Sequence, residues 1–223
     1  MMHKLAIAKL LDHTLLGPQA TKDDIIATCN EALEWDFATV AIQPINIAFA
    51  HTLLQGSNTG ITAAIAYPHG SWTIGQKCKE IEHCLAMGAT DCDYVLDIGS
   101  IREKNFRTIR KEAKECRKAT GSAVLKIILE VSLLTDEQIT TACTICAEEG
   151  CDFVKTSTGY LGSPTIEQVG LMCKTVQGSQ TKVKAAGGFS TTQRVLAALD
   201  LGVRRIGTSS SIKLMRQFDE LGY

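Results

Sequence analysis

A single closed (β/α)8 barrel of the TIM type, spanning residues 1–223, is the α/β fold that this sequence predicts, and three observations carry the prediction. Eight short apolar or β-branched runs alternate with longer amphipathic ones. The amphipathic runs open on hydroxyl caps and close on glycines. The chain also lacks the G-x-G-x-x-G turn that marks an open dinucleotide-binding sheet. At 223 residues and 45% hydrophobic it can bury one large core, and no composition shift marks a linker between two.

In chain order, the first strand is expected over Leu11 to Thr14, followed by a helix with Thr21 as N-cap and Asp24 as capping-box partner. Strands two, three and four are expected at Thr39 to Ile42, Thr62 to Ala66 and Cys92 to Ile98, the helix before the last ending at Gly88. The fifth, Val124 to Glu130, follows Gly121, and Thr135 with Gln138 opens the next helix. Gly150 closes that helix ahead of the sixth strand, Phe153 to Thr156. Val183 to Ala185 is the seventh; Ser190 with Gln193 then opens a helix that Gly202 ends before the eighth, Arg205 to Gly207.

A net charge of −1 and the absence of a basic run argue against nucleic acid or an acidic membrane as partner, leaving a small molecule. Nine cysteines, an odd number, read as small buried hydrophobes of a reducing compartment. Cys143 and Cys146 read as core packing, since no second pair or histidine stands near to complete a zinc site. The histidines at 3, 13, 51, 69 and 83 show no paired ligand spacing, so neither a metal nor a cofactor is expected. Met1 to Leu16 holds charges throughout and no apolar stretch, as in a cytoplasmic protein.

The chemistry is carried by Lys126, Lys155 and Lys184, which recur at intervals of 29 residues inside apolar runs. A lone lysine in a strand is more often a solvated or edge residue. Three in phase favour one interior layer, because equivalent positions of successive βα units lie at similar heights in a barrel. By alternation Lys126 shares a face with Ile128 and Glu130, whereas Ile127, Leu129 and Val154 form an apolar opposite face. Lys155 and Lys184 are then neighbours about 5 Å apart, where repulsion of about 3 kcal/mol at a dielectric near 20 lowers an amine by about two pH units. A neutral buried amine is a nucleophile for a carbonyl.

Such an amine needs an acid/base, and Asp93 is the best candidate, on a face shared with Asp91, Val95 and Asp97. It reads equally as an ion-pair partner of Lys126 or Lys184, and the two roles are compatible. The loops after strands seven and eight, Ala186-Gly187-Gly188-Phe189-Ser190 and Gly207-Thr208-Ser209-Ser210-Ser211, combine glycines with hydroxyls at the place where barrels bind phosphate. Each loop alone reads as a tight turn or an ordinary N-cap. Thr156-Ser157-Thr158-Gly159 would add a third wall.

These residues resemble the deoxyribose-phosphate aldolases, over nearly the whole chain. The resemblance is carried by Leu11-Asp12-His13-Thr14-Leu15-Leu16, Tyr67-Pro68-His69-Gly70, Leu125-Lys126-Ile127-Ile128-Leu129-Glu130, Phe153-Val154-Lys155-Thr156-Ser157-Thr158-Gly159, Val183-Lys184-Ala185-Ala186-Gly187-Gly188 and Arg205-Ile206-Gly207-Thr208-Ser209-Ser210. It implies reversible cleavage of 2-deoxy-D-ribose 5-phosphate to D-glyceraldehyde 3-phosphate and acetaldehyde. Lys155 matches the Schiff-base lysine, Lys184 the lysine that perturbs it, and Asp93 the aspartate that shuttles protons. Gly159, Gly187, Gly188, Gly207, Ser209 and Ser210 match the phosphate site, and Lys126 a supporting lysine paired with a carboxylate. The resemblance implies no cofactor, a phosphosugar and an aldehyde as partners, and a homo-oligomer.

Three departures from the family pattern touch loops only. Gly187-Gly188-Phe189-Ser190 stands where Gly-Gly-Ile-Arg is usual, Ser211 replaces a glycine, and Ile42-Gln43-Pro44 replaces Val-Asn-Pro. The loss of the loop cation predicts weaker phosphate binding. Rival readings are another imine-forming phosphosugar aldolase, a proton-shifting isomerase, and a catalytically silent phosphosugar-binding barrel. The last residue, Tyr223, reads as an idle, frayed terminus.

Overall fold

Eight parallel strands form in sequence order and close on themselves in the computed structural model, which describes residues 7–222. They are β1 (Leu11–Leu15), β2 (Thr39–Ile42), β3 (Gly60–Ile65), β4 (Asp91–Val95), β5 (Val124–Ile128), β6 (Phe153–Lys155), β7 (Lys182–Ala186) and β8 (Arg205–Thr208). Closure is made by β8 against β1, with Asp12 opposite Gly207 and His13 opposite Thr208. Tyr223 lies outside the described residues.

The helices among those residues are α1 (Lys22–Trp35), α2 (Ile47–Leu54), α3 (Ile74–Ala86), α4 (Ile98–Arg102), α5 (Phe106–Thr120), α6 (Asp136–Glu148), α7 (Ile166–Thr175), α8 (Thr192–Asp200) and α9 (Ser211–Glu220). Reciprocal capping boxes start α1 (Thr21 with Asp24), α3 (Thr73 with Gln76), α6 (Thr135 with Gln138) and α7 (Thr165 with Gln168). Each satisfies amide groups that a helix start leaves open. The cap of α8 is Thr191, which accepts from the Arg194 amide, and not the expected Ser190.

Outward-facing strand residues such as Ile127 and Val154 are buried against the helices, and Cys143 and Cys146 of α6 belong to the same core. The inward faces carry the polar residues. A buried ion pair, Lys77 of α3 to Glu112 of α5 at 2.6 Å, braces the barrel from outside, because Lys77 also donates to the Val95 carbonyl at 2.8 Å. It thereby anchors the C-terminal end of β4.

The expected strands overrun at four ends, at β6 by Thr156 alone. Strand β4 stops at Val95, so Asp97 does not share a face with Asp93; its carboxylate instead caps α4 by accepting from the Ser100 amide. Strand β5 stops at Ile128, and Glu130 turns into the left-handed region at φ 55°. Strand β3 stops at Ile65, with Ala66 at φ 50°. At Asp97 and Glu130 alternation was extended through a turn whose backbone rotates the side chain away from the strand face.

Candidate active site

Register places the ionisable side chains together. Asp93 of β4 lies opposite Lys126 of β5, and Lys155 of β6 opposite Lys184 of β7. Between β5 and β6 the lysines are offset by two residues, Lys126 lying opposite Phe153 and Lys155 opposite Ile128, an even shift that keeps all four side chains on the inward face. Asp93 Oδ2 accepts from Lys155 Nζ at 2.8 Å and from Lys184 Nζ at 2.7 Å, so a single oxygen joins the two amines. Lys126 donates to Thr62 Oγ1 at 3.0 Å and lies within ion-pair reach of Asp91 (2.7 Å), Asp93 (3.0 Å) and Asp12 (3.5 Å).

The three lysines therefore differ in kind. Lys126 is fully buried; burial alone would lower it, but Asp12, Asp93 and Asp91 raise it well above an ordinary lysine, so it is a fixed cation. Lys155 is held at about 8, chiefly by burial; Asp93 opposes that effect and Lys184 adds to it. Withdrawal from water, and not the expected repulsion from Lys184, is the main cause, and the Lys184 charge is itself paired. Burial would raise Asp93, yet Lys126, Lys155 and Lys184 hold it well below the usual carboxylate range.

Only Lys155 of the three meets open space. It lines a cavity of about 320 Å³ at the C-terminal mouth of the barrel, together with Gly159, Gly187, Gly188, Gly207, Ser209 and Ser210. Every residue matched to the phosphate site is in that wall, and so is Ser190, one of the departures. Lys184 and Asp93 are buried beneath, at 0% and 2% exposure, and reach the cavity through Lys155. Gly187 and Gly188 both have left-handed backbones, and a Cβ on Gly188 would meet Ser163 Oγ at 2.6 Å, so the pair turns its amides where a side chain would not fit. The strand-eight loop leads into α9, whose first turn adds the positive end of a helix dipole.

Sequence reasoning missed Asp12 and Arg205. Asp12 is fully buried and accepts from Lys184, from Arg205 at 2.8 Å and from Thr39 at 2.8 Å. Burial would raise its carboxyl, but Lys126, Lys184 and Arg205 hold it well below an ordinary aspartate. A signal existed, since Asp12 interrupts a short apolar run, but its partners lie on strands far along the chain. Glu130, expected on the face of Lys126, instead accepts from the Thr158 amide at 3.1 Å and hydroxyl at 2.5 Å.

A layer of paired lysines and aspartates under a glycine-walled cavity can form an imine and move protons beside it. Known proteins that this chain is similar to are aldolases. The chain is 41% identical over 213 residues to the deoxyribose-phosphate aldolase of Mycoplasma capricolum, covering 95% of this chain and 96% of that one. It is 40% identical over 208 residues to the enzyme of the same name from Brevibacillus brevis, covering 93% and 94%. The solved tetrameric deoxyribose phosphate aldolase from Aeropyrum pernix superposes with a TM-score of 0.88 at 28% identity, over 98% of this chain and 93% of that one. The family described as DeoC/LacD family aldolase matches residues 6–210, and the chain belongs to it.

Proposed function

We propose that this protein is a class I aldolase that reversibly cleaves 2-deoxy-D-ribose 5-phosphate to D-glyceraldehyde 3-phosphate and acetaldehyde, with Lys155 as the imine-forming amine. The observation that carries this reading is Lys155 itself: a buried amine held at about 8, open to a cavity walled by glycines and hydroxyls. At neutral pH about a tenth of such an amine is unprotonated, against about one in 2,500 for an ordinary lysine.

The neutral amine adds to the aldehyde carbon of the open-chain sugar, and loss of water leaves a protonated imine. Removal of the C3 hydroxyl proton breaks the C2–C3 bond; the electron pair passes to the imine as an enamine, and D-glyceraldehyde 3-phosphate departs. Protonation of the enamine carbon and return of water release acetaldehyde and the free lysine. Asp93 supplies and receives the protons, and Lys184 recharges it, since both amines bond to the same carboxylate oxygen. Gly159, Gly187, Gly188, Gly207, Ser209 and Ser210 hold the phosphate, with backbone amides compensating for the missing loop cation.

The same reading takes no cofactor and places the protein in the cytoplasm as a homo-oligomer. Among the described residues no helix is long and apolar enough to cross a membrane. The exposed Ile45 side chain, 88% accessible, and the tetrameric assembly named for the Aeropyrum pernix relative support self-association. The test is mass spectrometry after acetaldehyde and borohydride: one ethyl group on Lys155 is expected, and none in Lys155→Leu. Modification at another lysine, or none, would overturn the assignment, and turnover of the deoxysugar phosphate by Lys155→Leu would too.

A further inference from the structure

Glu130 does not line the cavity and pairs with none of the three lysines, yet it is fully buried; its Oε2 accepts twice from one loop, and its Oε1 is buried without a hydrogen-bond partner. The amides on either side of it tie down the chain: Leu129 donates to the Lys155 carbonyl and Val131 to the Thr156 carbonyl, each at 3.0 Å. Between these anchors the left-handed backbone of Glu130, φ 55° and ψ 58°, turns its side chain onto the segment that follows β6. Such a backbone is strained for a residue with a side chain, and a buried carboxylate is costly, so both features need a compensating partner.

That partner is Thr158. Its amide and hydroxyl both donate to Glu130 Oε2, its hydroxyl oxygen accepts from the Tyr160 amide at 3.1 Å, and its carbonyl accepts from the Tyr67 hydroxyl at 2.7 Å. The Tyr67 and Tyr160 rings then meet edge to face at 5.6 Å. Thr158, Gly159, Tyr160 and Tyr67 all line the cavity beside Lys155. One buried carboxylate therefore holds a whole wall of the site, three residues beyond the amine.

We infer that Glu130 is a positioning residue for the larger substrate: acting through Thr158, it sets the height of the 158–160 wall over Lys155 and so the affinity for the phosphorylated aldehyde. Acetaldehyde is too small to need that wall. The inference rests on the reading of Lys155 as the imine-forming amine.

The experiment compares wild type, Glu130→Ala and Glu130→Gln in two assays: KM and kcat with 2-deoxy-D-ribose 5-phosphate, and the rate of borohydride trapping with acetaldehyde. For Glu130→Ala, KM is expected to rise about tenfold, kcat to fall less than about threefold and trapping to stay within about twofold. Glu130→Gln keeps one acceptor oxygen and should recover most of the loss in KM. A KM within twofold of wild type in Glu130→Ala would overturn the inference, as would trapping that falls in step with KM. If the alanine variant does not fold, a glutamine variant whose KM rises less than trapping falls has the same consequence. Failure of the wild type to trap acetaldehyde on Lys155 would instead sink the functional reading and take this inference with it.

Discussion

Gly207 leaves room for Lys184: a Cβ at that position would lie 3.0 Å from Lys184 Cε and 3.1 Å from the Ala186 Cβ. Gly207 lines the cavity, but its missing side chain serves the lysine beneath. Gly207→Ala should therefore displace Lys184 by a few tenths of an ångström against Asp93. We expect kcat to fall about tenfold with KM within about threefold, because geometry beneath the amine changes more than the cavity wall. Steady-state kinetics decide it, and an unchanged kcat would refute the relationship.

Trapping of acetaldehyde should follow the amine. Lys155 sits at about 8, and a depressed lysine gains its reactive neutral form as pH rises through that value. The borohydride-trapped rate should rise about fivefold from pH 7 to 8 and less than about twofold from pH 8 to 9. An ordinary lysine would gain about tenfold at each step, and that profile would count against a buried, depressed amine.

Asp93→Asn separates activation of the amine from proton transfer. Burial lowers Lys155 and Asp93 works against it, so losing the carboxylate should move the trapping midpoint below 8. Turnover of the deoxysugar phosphate should nevertheless drop by about two to four orders of magnitude, the usual loss when an acid/base is removed. A midpoint that stays or moves upward would show that Asp93 does not hold the Lys155 charge.

Away from the cavity, the Lys77 to Glu112 pair should govern stability. Lys77→Met strands a buried carboxylate and removes the donor to the Val95 carbonyl, so urea unfolding should show a loss of about 3–5 kcal/mol. Adding Glu112→Gln should restore at least half, since the amide oxygen can still accept from the Asp97 amide. A single variant within about 1 kcal/mol of wild type would mean that the pair contributes little.

The lysine cluster was legible because a barrel repeats: the equal spacing holds in register for Lys155 and Lys184, Lys126 is offset by two residues, and an even offset leaves all three facing inward. The glycine and hydroxyl loops were legible for a similar reason, lying after the last two strands and all reaching the same cavity wall. Asp97 and Glu130 were misread because alternation holds only while the backbone stays extended. At Asp97 a helix cap replaces the strand, and at Glu130 a left-handed turn does. Asp12 was passed over because one acid in Leu11-Asp12-His13 carries no sign of its partners on strands seven and eight, 172 and 193 residues away.

From the order of residues alone came the alternation of strands and helices, the closed barrel, and the identity of the amines and the acid that meet inside it. These are properties of local periodicity, which short segments express by themselves. Tertiary structure decided which amine opens onto the cavity with the fewest counter-ions. Lys126, Lys155 and Lys184 occupy similar apolar runs, but three carboxylates surround Lys126, Asp12 and Asp93 grip Lys184, and Lys155 is left with Asp93 and an opening to the cavity. A lysine's charge depends on its distances to water and to counter-ions, and closure of the barrel sets both.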